Sequence, residues 1–309
     1  MGEVFTTWNE QHAPLWEHQP VKIGHALHRS ALFQREALAR LIETYPREHY
    51  SLVHMGPRGG RRVWREGELG GLSGEAVIDA IGRGRMWLNL RQVADVDSRY
   101  RRLMDDVFGE VSARVPGFHS PKQSPGILIS SPEAQVYYHA DLPGQCLWQI
   151  MGRKRVWVYP NTPPFVAPEQ LEHIALFDVE VDMAYEPWFD AHAQVYDLGP
   201  GEMLNWPLNA PHRVENLEGV NVSMTVAYWT EEIRRQQMVN LANGILRHRF
   251  GLNPRSRATS GPGFYAKALL QKGLRNTRWV RQERRSRRPI DFRLDGARPG
   301  EIVDLPAAA

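Results

Sequence analysis

The chain has 309 residues, 42% of them apolar and 24% charged, with 26 glycines and 22 prolines, a globular balance that excludes disorder, collagen and coiled coil. A net charge of +3 conceals an asymmetry: Arg275, Arg278, Arg281, Arg284, Arg285, Arg287 and Arg288 are opposed only by Glu283, a run expected to be a solvated helix face or to attract an acidic partner. Cys146 stands alone, which excludes an intrachain disulfide and a Cys-rich zinc site, so any metal must be held by His and carboxylate.

The longest apolar runs, such as Val222 to Trp229 with Ser223 and Thr225 inside it, fall far short of the ~20 residues of a membrane span. No basic segment followed by an apolar one opens the chain, so no secretory signal is read and a cytoplasmic location is expected.

Along the first 120 residues the texture is α/β. Val21 to His28 reads as a strand, and Ser30 opens a helical run in which Leu32, Ala37, Leu38, Leu41 and Ile42 share a face. Tyr50 to His54 is strand-like, Ser73 caps a helix through Ile81, Met86 to Leu90 is a strand, and Tyr100 to Val115 is helical with Leu103, Val107, Val111 and Val115 inward. From Gly126 to Thr230 the pattern changes to short alternating runs separated by Pro and Gly. Strands are expected at Gly126–Ser130, Gln135–Asp141, Cys146–Met151, Arg155–Tyr159, Phe177–Val181, Val195–Leu198, Met203–Trp206, His212–Asn216 and Val220–Trp229. Many short strands without long intervening helices predict a mainly β sandwich or barrel with flanking helices. A helix from Glu231 to Phe250 follows, then loop-forming Asn253-Pro254 and Gly261-Pro262-Gly263, then the basic segment. The expected organisation is an N-terminal extension over residues 1–120, a barrel over 121–230 and a helical, basic region over 231–309.

His139-Ala140-Asp141 falls in an expected strand, where positions i and i+2 project to one side and two ligands meet one metal. Alone the pattern is weak, since this composition yields about one His-x-acid by chance. The downstream spacing adds to it: Gly201, five residues, Pro207, four residues, His212, three residues, Asn216.

On these residues the sequence resembles the cupin superfamily. Its first motif has His-x-His, a Glu four residues on and a Gly seven later; here Asp141 replaces the second His, Gln145 the Glu, and Gly152 is kept. Its second motif is matched by Gly201, Pro207, His212 and Asn216, with Asn209 where a Gly is usual. The resemblance implies a double-stranded β-helix, the jelly-roll barrel, that brings His212 to His139 and Asp141. Two His and one carboxylate on one face form the facial triad of non-haem Fe(II) oxygenases.

The branch resembled is that of the JmjC-like, 2-oxoglutarate-dependent hydroxylases akin to the asparaginyl hydroxylase of hypoxia-inducible factor. It runs from about Gly126 to Trp229 and is strongest from His139 through Gln149-Ile150-x-Gly152-x-Lys154-Arg155. It implies Fe(II) on His139, Asp141 and His212, with 2-oxoglutarate as cosubstrate, its distal carboxylate on Lys154. A compact ammonium at the closed end of an apolar barrel suits a carboxylate. Three residues before the first His that branch has a Thr touching the cosubstrate; here Val136 stands, so Tyr137 or Ser130 is expected to supply the hydrogen bond. Gln145 stands where relatives carry an Asn near the cosubstrate, and the branch's late Asn falls on Ala227.

The implied activity is hydroxylation of a protein side chain or a small molecule. Two alternatives stay open: a non-catalytic cupin-like binding or regulatory protein, which has no need of the triad with Lys154, and a metal-dependent cupin enzyme that does not use 2-oxoglutarate, which has no need of Lys154. Of the remaining histidines, His25 and His28 sit one turn or one strand period apart before a helix, and His54 and His173 have no paired carboxylate at ligand spacing, so all four are read as surface or core. Trp148, Trp157, Trp206 and Trp229 read as core, Trp206 being the exception favoured by its place near the second motif. Ile233, Val239, Leu241, Ile245 and Leu246 make an apolar stripe that must cover the barrel or a second copy of the chain, and the resemblance implies a homodimer through the C-terminal helices.

Overall fold

Two long strands organise the molecule. In the computed structural model, which describes residues 3–56, 63–177, 183–281 and 289–306, the chain runs β1 (Val21–Gly24), α1 (Arg35–Glu43), β2 (Tyr50–Met55), β3 (Trp64–Glu68), α2 (Gly74–Arg83), β4 (Met86–Leu90), α3 (Val93–Val96) and α4 (Ser98–Arg114). Next come β5 (Lys122–Ser130), β6 (Gln135–His139), β7 (Gly144–Val158), α5 (Pro168–Phe177), β8 (Gln194–Leu198), β9 (Glu202–Asn205) and β10 (His212–Trp229). It closes with α6 (Glu231–Phe250), α7 (Gly261–Leu274), α8 (Arg278–Arg281), β11 (Ile290–Leu294) and β12 (Ile302–Asp304).

β7 and β10 pair antiparallel along nearly their whole length, from Val158 opposite His212 to Gly144 opposite Tyr228. The register shifts between Asn216 and Ser223, where both strands bend. On one side of the bend β6 and β8 extend the pair; on the other, β5 and β9 do, with β1 beyond β9. The two halves of one strand pair thus belong to two facing layers, which is the jelly-roll barrel expected from the sequence. Gly152 makes the bend: its φ is +75°, and a Cβ there would meet the Val220 carbonyl and the Asn221 side chain at 2.7 Å, so a side chain is excluded by conformation and by space alike. The larger layer continues from β5 through β4, β2, β3, β11 and β12, so strands from the N-terminal 120 residues and from the C-terminus lie in one ladder with the barrel.

Alternation on the strands assigns the two faces. Val222, Met224, Val226 and Tyr228 of β10, with Cys146, Trp148 and Ile150 of β7, point outward and pack under Leu38, Ile42, Val77, Ile81, Leu103, Val107 and Val111 of α1, α2 and α4. Each such aliphatic or aromatic side chain contributes about 1.5–3 kcal/mol on burial. The inner face carries Leu147, Val156, Val158, Leu198, Leu204, Trp206 and Val214.

Several elements differ from the sequence reading. Cys146–Met151 and Arg155–Tyr159 are parts of the single bent β7, and His212–Asn216 and Val220–Trp229 are parts of β10, because glycines interrupted the alternation without ending the strands. β6 stops at His139, leaving Asp141 beyond it. Phe177 ends helix α5, so no strand starts there, and the rest of that expected strand, residues 178–182, lies outside the described residues. Gly261-Pro262-Gly263 opens α7 where a loop was expected; Pro262 sits in the first turn, where its missing N–H is no loss. The apolar residues of α6 are covered within the chain: Leu241 and Ile245 cluster with Leu176 of α5 and with Val280, and Ile233 joins the main core. Of the two expected partners of that stripe, the barrel is met by Ile233, while Leu241 and Ile245 pack on α5 and Val280 instead. Among the described residues no helix is long and apolar enough to cross a membrane.

Candidate metal and cosubstrate site

His139 and His212 are direct neighbours across the β6–β10 ladder, with ring centroids 4.1 Å apart. Each Nδ1 lies against a backbone carbonyl two residues earlier, Tyr137 O at 2.8 Å for His139 and Ala210 O at 3.1 Å for His212. Such a bond fixes the ring and leaves Nε2 as the free donor of an electron pair. Asp141 Oδ2 lies 3.4 Å from His212 Nε2. One ligand atom from each of the three falls within 4.8 Å of the others, and all three side chains are largely shielded from water.

The electrostatics fit a cation at the centre. Burial raises the Asp141 carboxyl above its ordinary range, a rise reduced by the nearby His139 and by a hydrogen bond from the Gln145 side chain. Burial, with His139 alongside, holds His212 well below its usual value. A buried carboxylate beside a neutral imidazole is an uncompensated arrangement, whereas a divalent ion requires that carboxylate charged and that imidazole neutral. The residues therefore fit a His-Asp-His metal site with open positions.

Lys154 lies two rungs deeper on the inner face. Val158 is opposite His212, Val156 opposite Val214, and Lys154 opposite Asn216, so the ammonium's strand position is about 13 Å along β7 from the histidine rung. Only 1% of Lys154 is exposed, and burial alone pulls its pKa down to about 7. No carboxylate among the described residues pairs with it. At its rung Asn216 donates through Nδ2 to Ser130 Oγ at 2.9 Å and to Ser131 O at 2.6 Å. Between the two ends the wall is apolar, with Val136, Val156, Leu198, Leu204 and Val214 in one cluster.

The other candidates separate. The Gln145 side chain is engaged with Asp141, at the metal end, and Gln145 pairs with Ala227 across the ladder. Tyr137 contributes its carbonyl to His139. A register shift between His139 and Val136 leaves Val136, opposite Val214, among the barrel-lining residues. Trp206 is 5% exposed with its ring centroid 4.6 Å from that of His212, so it packs against the His212 ring as well as the core.

Residues 77–235, half of the chain, match the model of the cupin-like domain. The chain belongs to the cupin-like family. Among solved structures, Escherichia coli YcfD superposes with a TM-score of 0.51 at 18% identity, over 93% of this chain and 75% of that one, and shares the fold. A second structure, described as the E. coli ribosomal oxygenase YcfD in complex with cobalt and 2-oxoglutarate, gives 0.49 at 18% identity, over 93% and 74%. No curated protein matches the sequence.

Asn209 and Asn216 were visible in the sequence only as motif positions. The signal for Asn209 was an Asn where the cupin pattern has Gly: both tolerate a left-handed backbone, and Asn alone adds a donor. For Asn216 and Ser130 no spacing rule links residues 86 apart; only the fold brings them to the rung of Lys154.

Proposed function

We propose that this cupin-like protein is an Fe(II)- and 2-oxoglutarate-dependent dioxygenase. The single observation that carries the reading is Lys154, a fully buried ammonium without a counter-charge among the described residues, on the same inner face as a His-Asp-His cluster. A buried, unpaired charge costs several kcal/mol in a typical interior, and a dicarboxylate that reaches from the metal to Lys154 supplies the missing partner. A non-catalytic cupin has no use for this combination, and a metal enzyme without 2-oxoglutarate has no use for Lys154.

His139, Asp141 and His212 would hold the iron, leaving positions for the cosubstrate and O₂. When bound, iron with 2-oxoglutarate and O₂ supplies the oxidising power, the cosubstrate leaving as succinate and CO₂. The chain's own residues bind and orient. Lys154 would hold the distal carboxylate, with Ser130 and Asn216 at its rung; Val136, Val156, Leu198 and Val214 would exclude water along the cosubstrate. Gln145 would keep the Asp141 carboxylate oriented.

The substrate we infer is a protein side chain, in keeping with the shared fold of YcfD, which is described as a ribosomal oxygenase; a small molecule is the other class this chemistry serves. We place its action in the cytoplasm. Lys272, Arg275 and Arg278 are exposed and carry the proposal of an acidic partner, while residues 282–288 of the arginine run lie outside the described residues. For a homodimer, the exposed Tyr265 and Leu269 of α7 replace the α6 stripe as the apolar surface, and sedimentation equilibrium tests it. The central reading is tested by calorimetric titration of 2-oxoglutarate into protein loaded with Mn(II). Saturable one-site binding that requires the metal is expected, and no binding overturns it.

A further inference from the structure

The three candidate ligands are not held equally well. His139 and His212 sit in a β-ladder with each ring tied to a carbonyl. Asp141 follows the last residue of β6 and has no ladder partner to fix its backbone. Its carboxylate must nevertheless stay within 3.4 Å of His212 Nε2.

Asn209 spans the gap. It lies in the turn between β9 and β10, 7% exposed, with φ +60° in the left-handed region. Its Nδ2 donates to the Asp141 carbonyl at 2.6 Å and reaches the Leu142 carbonyl at 3.5 Å. The turn is itself anchored: Ala210 N donates to Pro207 O at 3.0 Å, Tyr159 N to Pro211 O at 2.9 Å, and Asn161 Nδ2 to Leu208 O at 3.1 Å. The same turn carries Ala210 O, which accepts from or aligns His212 Nδ1. One rigid turn therefore contacts the peptide of Asp141 and the ring of His212 together.

We infer that Asn209 is a positioning residue that locks Asp141 to His212 and so sets the geometry of the metal site. The inference rests on the metal reading of the triad. Glycine satisfies the left-handed backbone at this position equally well, so the amide adds something the turn does not need. A clamp of this kind acts one step away from the metal, where loss of a partner typically lowers metal affinity about 10- to 100-fold.

Asn209→Gly keeps the turn and deletes the clamp; Asn209→Asp keeps size and left-handed tolerance but presents an acceptor to two carbonyls. Each is titrated with Co(II), following heat and the cobalt d–d absorption, after metal-free melting temperatures have been compared. The wild type is expected to bind one Co(II). Both variants should bind about 10- to 100-fold more weakly with an altered d–d spectrum, Asn209→Gly melting within a degree or two of wild type without metal. Unchanged affinity and spectrum in Asn209→Gly overturns the inference while leaving the site intact, as does a lowered metal-free melting temperature with unchanged affinity. A wild type that binds no Co(II) overturns the metal reading, and the clamp with it.

Discussion

The two ends of the barrel interior are built on opposite plans. At the metal end each ligand residue is oriented by a hydrogen bond that leaves its ligating atom available: His139 and His212 through Nδ1 on carbonyls, Asp141 on Gln145, and its peptide on Asn209. At the deep end Lys154 has no charged partner among the described residues, while its neighbours Asn216 and Ser130 are bonded to each other. Preorganised ligands let a metal bind without reordering the site. An unpaired ammonium in an apolar chamber does the reverse, destabilising the empty protein until an anion arrives. The difference teaches that the metal end is oriented in the empty protein, whereas the deep end holds a buried ammonium with no anion beside it among the described residues.

Removing a ligand tests the metal end and carries the largest expected effect. Asp141→Ala or His139→Ala should abolish metal-dependent turnover and metal stoichiometry, with the circular dichroism of the fold retained; retention of both stoichiometry and turnover breaks the assignment. At the deep end, Lys154→Ala deletes one half of a buried charged pair, a loss of about 3–5 kcal/mol or roughly two to four decades of affinity. It should weaken 2-oxoglutarate binding by that factor and leave Co(II) affinity within about threefold. Equal cosubstrate affinity in variant and wild type would remove the deep end from the site.

The pH dependence sharpens the contrast. Burial lowers Lys154 to about 7 in the folded protein from its ordinary 10.5 in the unfolded chain, so the unfolded chain holds the extra proton between those limits. Its penalty is full below pH 7 and fades as pH rises to 10.5. Lys154→Met should therefore melt higher than wild type at pH 7, with the advantage shrinking at higher pH. Because only the charged ammonium pairs with a carboxylate, cosubstrate affinity should fall above pH 7, and binding at pH 8 should take up a proton, measured by calorimetry in two buffers of different ionisation heat. A pH-independent affinity would contradict the pairing.

The smallest effect lies outside the barrel. Glu17 shifts the opposite way, raised to about 7 chiefly by burial, with Tyr228 hydrogen-bonded to it and Glu232 adding repulsion. Asn205 takes part from both sides, accepting from Glu17 N at 3.0 Å and donating to Tyr228 Oη at 3.1 Å. A raised carboxyl contributes stability that is full below its unfolded value of 4.5 and lost as pH rises to about 7. Glu17→Gln should flatten the decline of melting temperature over that window. Saturating 2-oxoglutarate should erase the Lys154 step and leave the Glu17 step untouched; erasure of both would mean that the two regions are coupled.

Much of the site was legible because its signals are local. His139 and Asp141 are two residues apart, His212 closes a spaced motif, and Lys154 lies at the interval from His139 that the resemblance assigns, on β7, which like β6 pairs with β10. What the sequence concealed depends on long range or on bends. The reading split β7 and β10 because glycines at 152 and 219 broke the alternation, although both strands continue through them. It extended β6 through Asp141 because alternation persists there, yet the ladder ends at His139, and that early end is why Asp141 depends on Asn209. Helix α5 was not among the expected elements, although Pro168 suits a helix start.

The most direct test of the joined site is anaerobic. Fe(II) protein is titrated with 2-oxoglutarate while the visible spectrum is followed. A metal-to-ligand charge-transfer band that saturates at one cosubstrate per iron, and that needs far higher cosubstrate in Lys154→Ala, is the predicted result. Iron binding without any such band, or a band with the same midpoint in both proteins, would contradict the account.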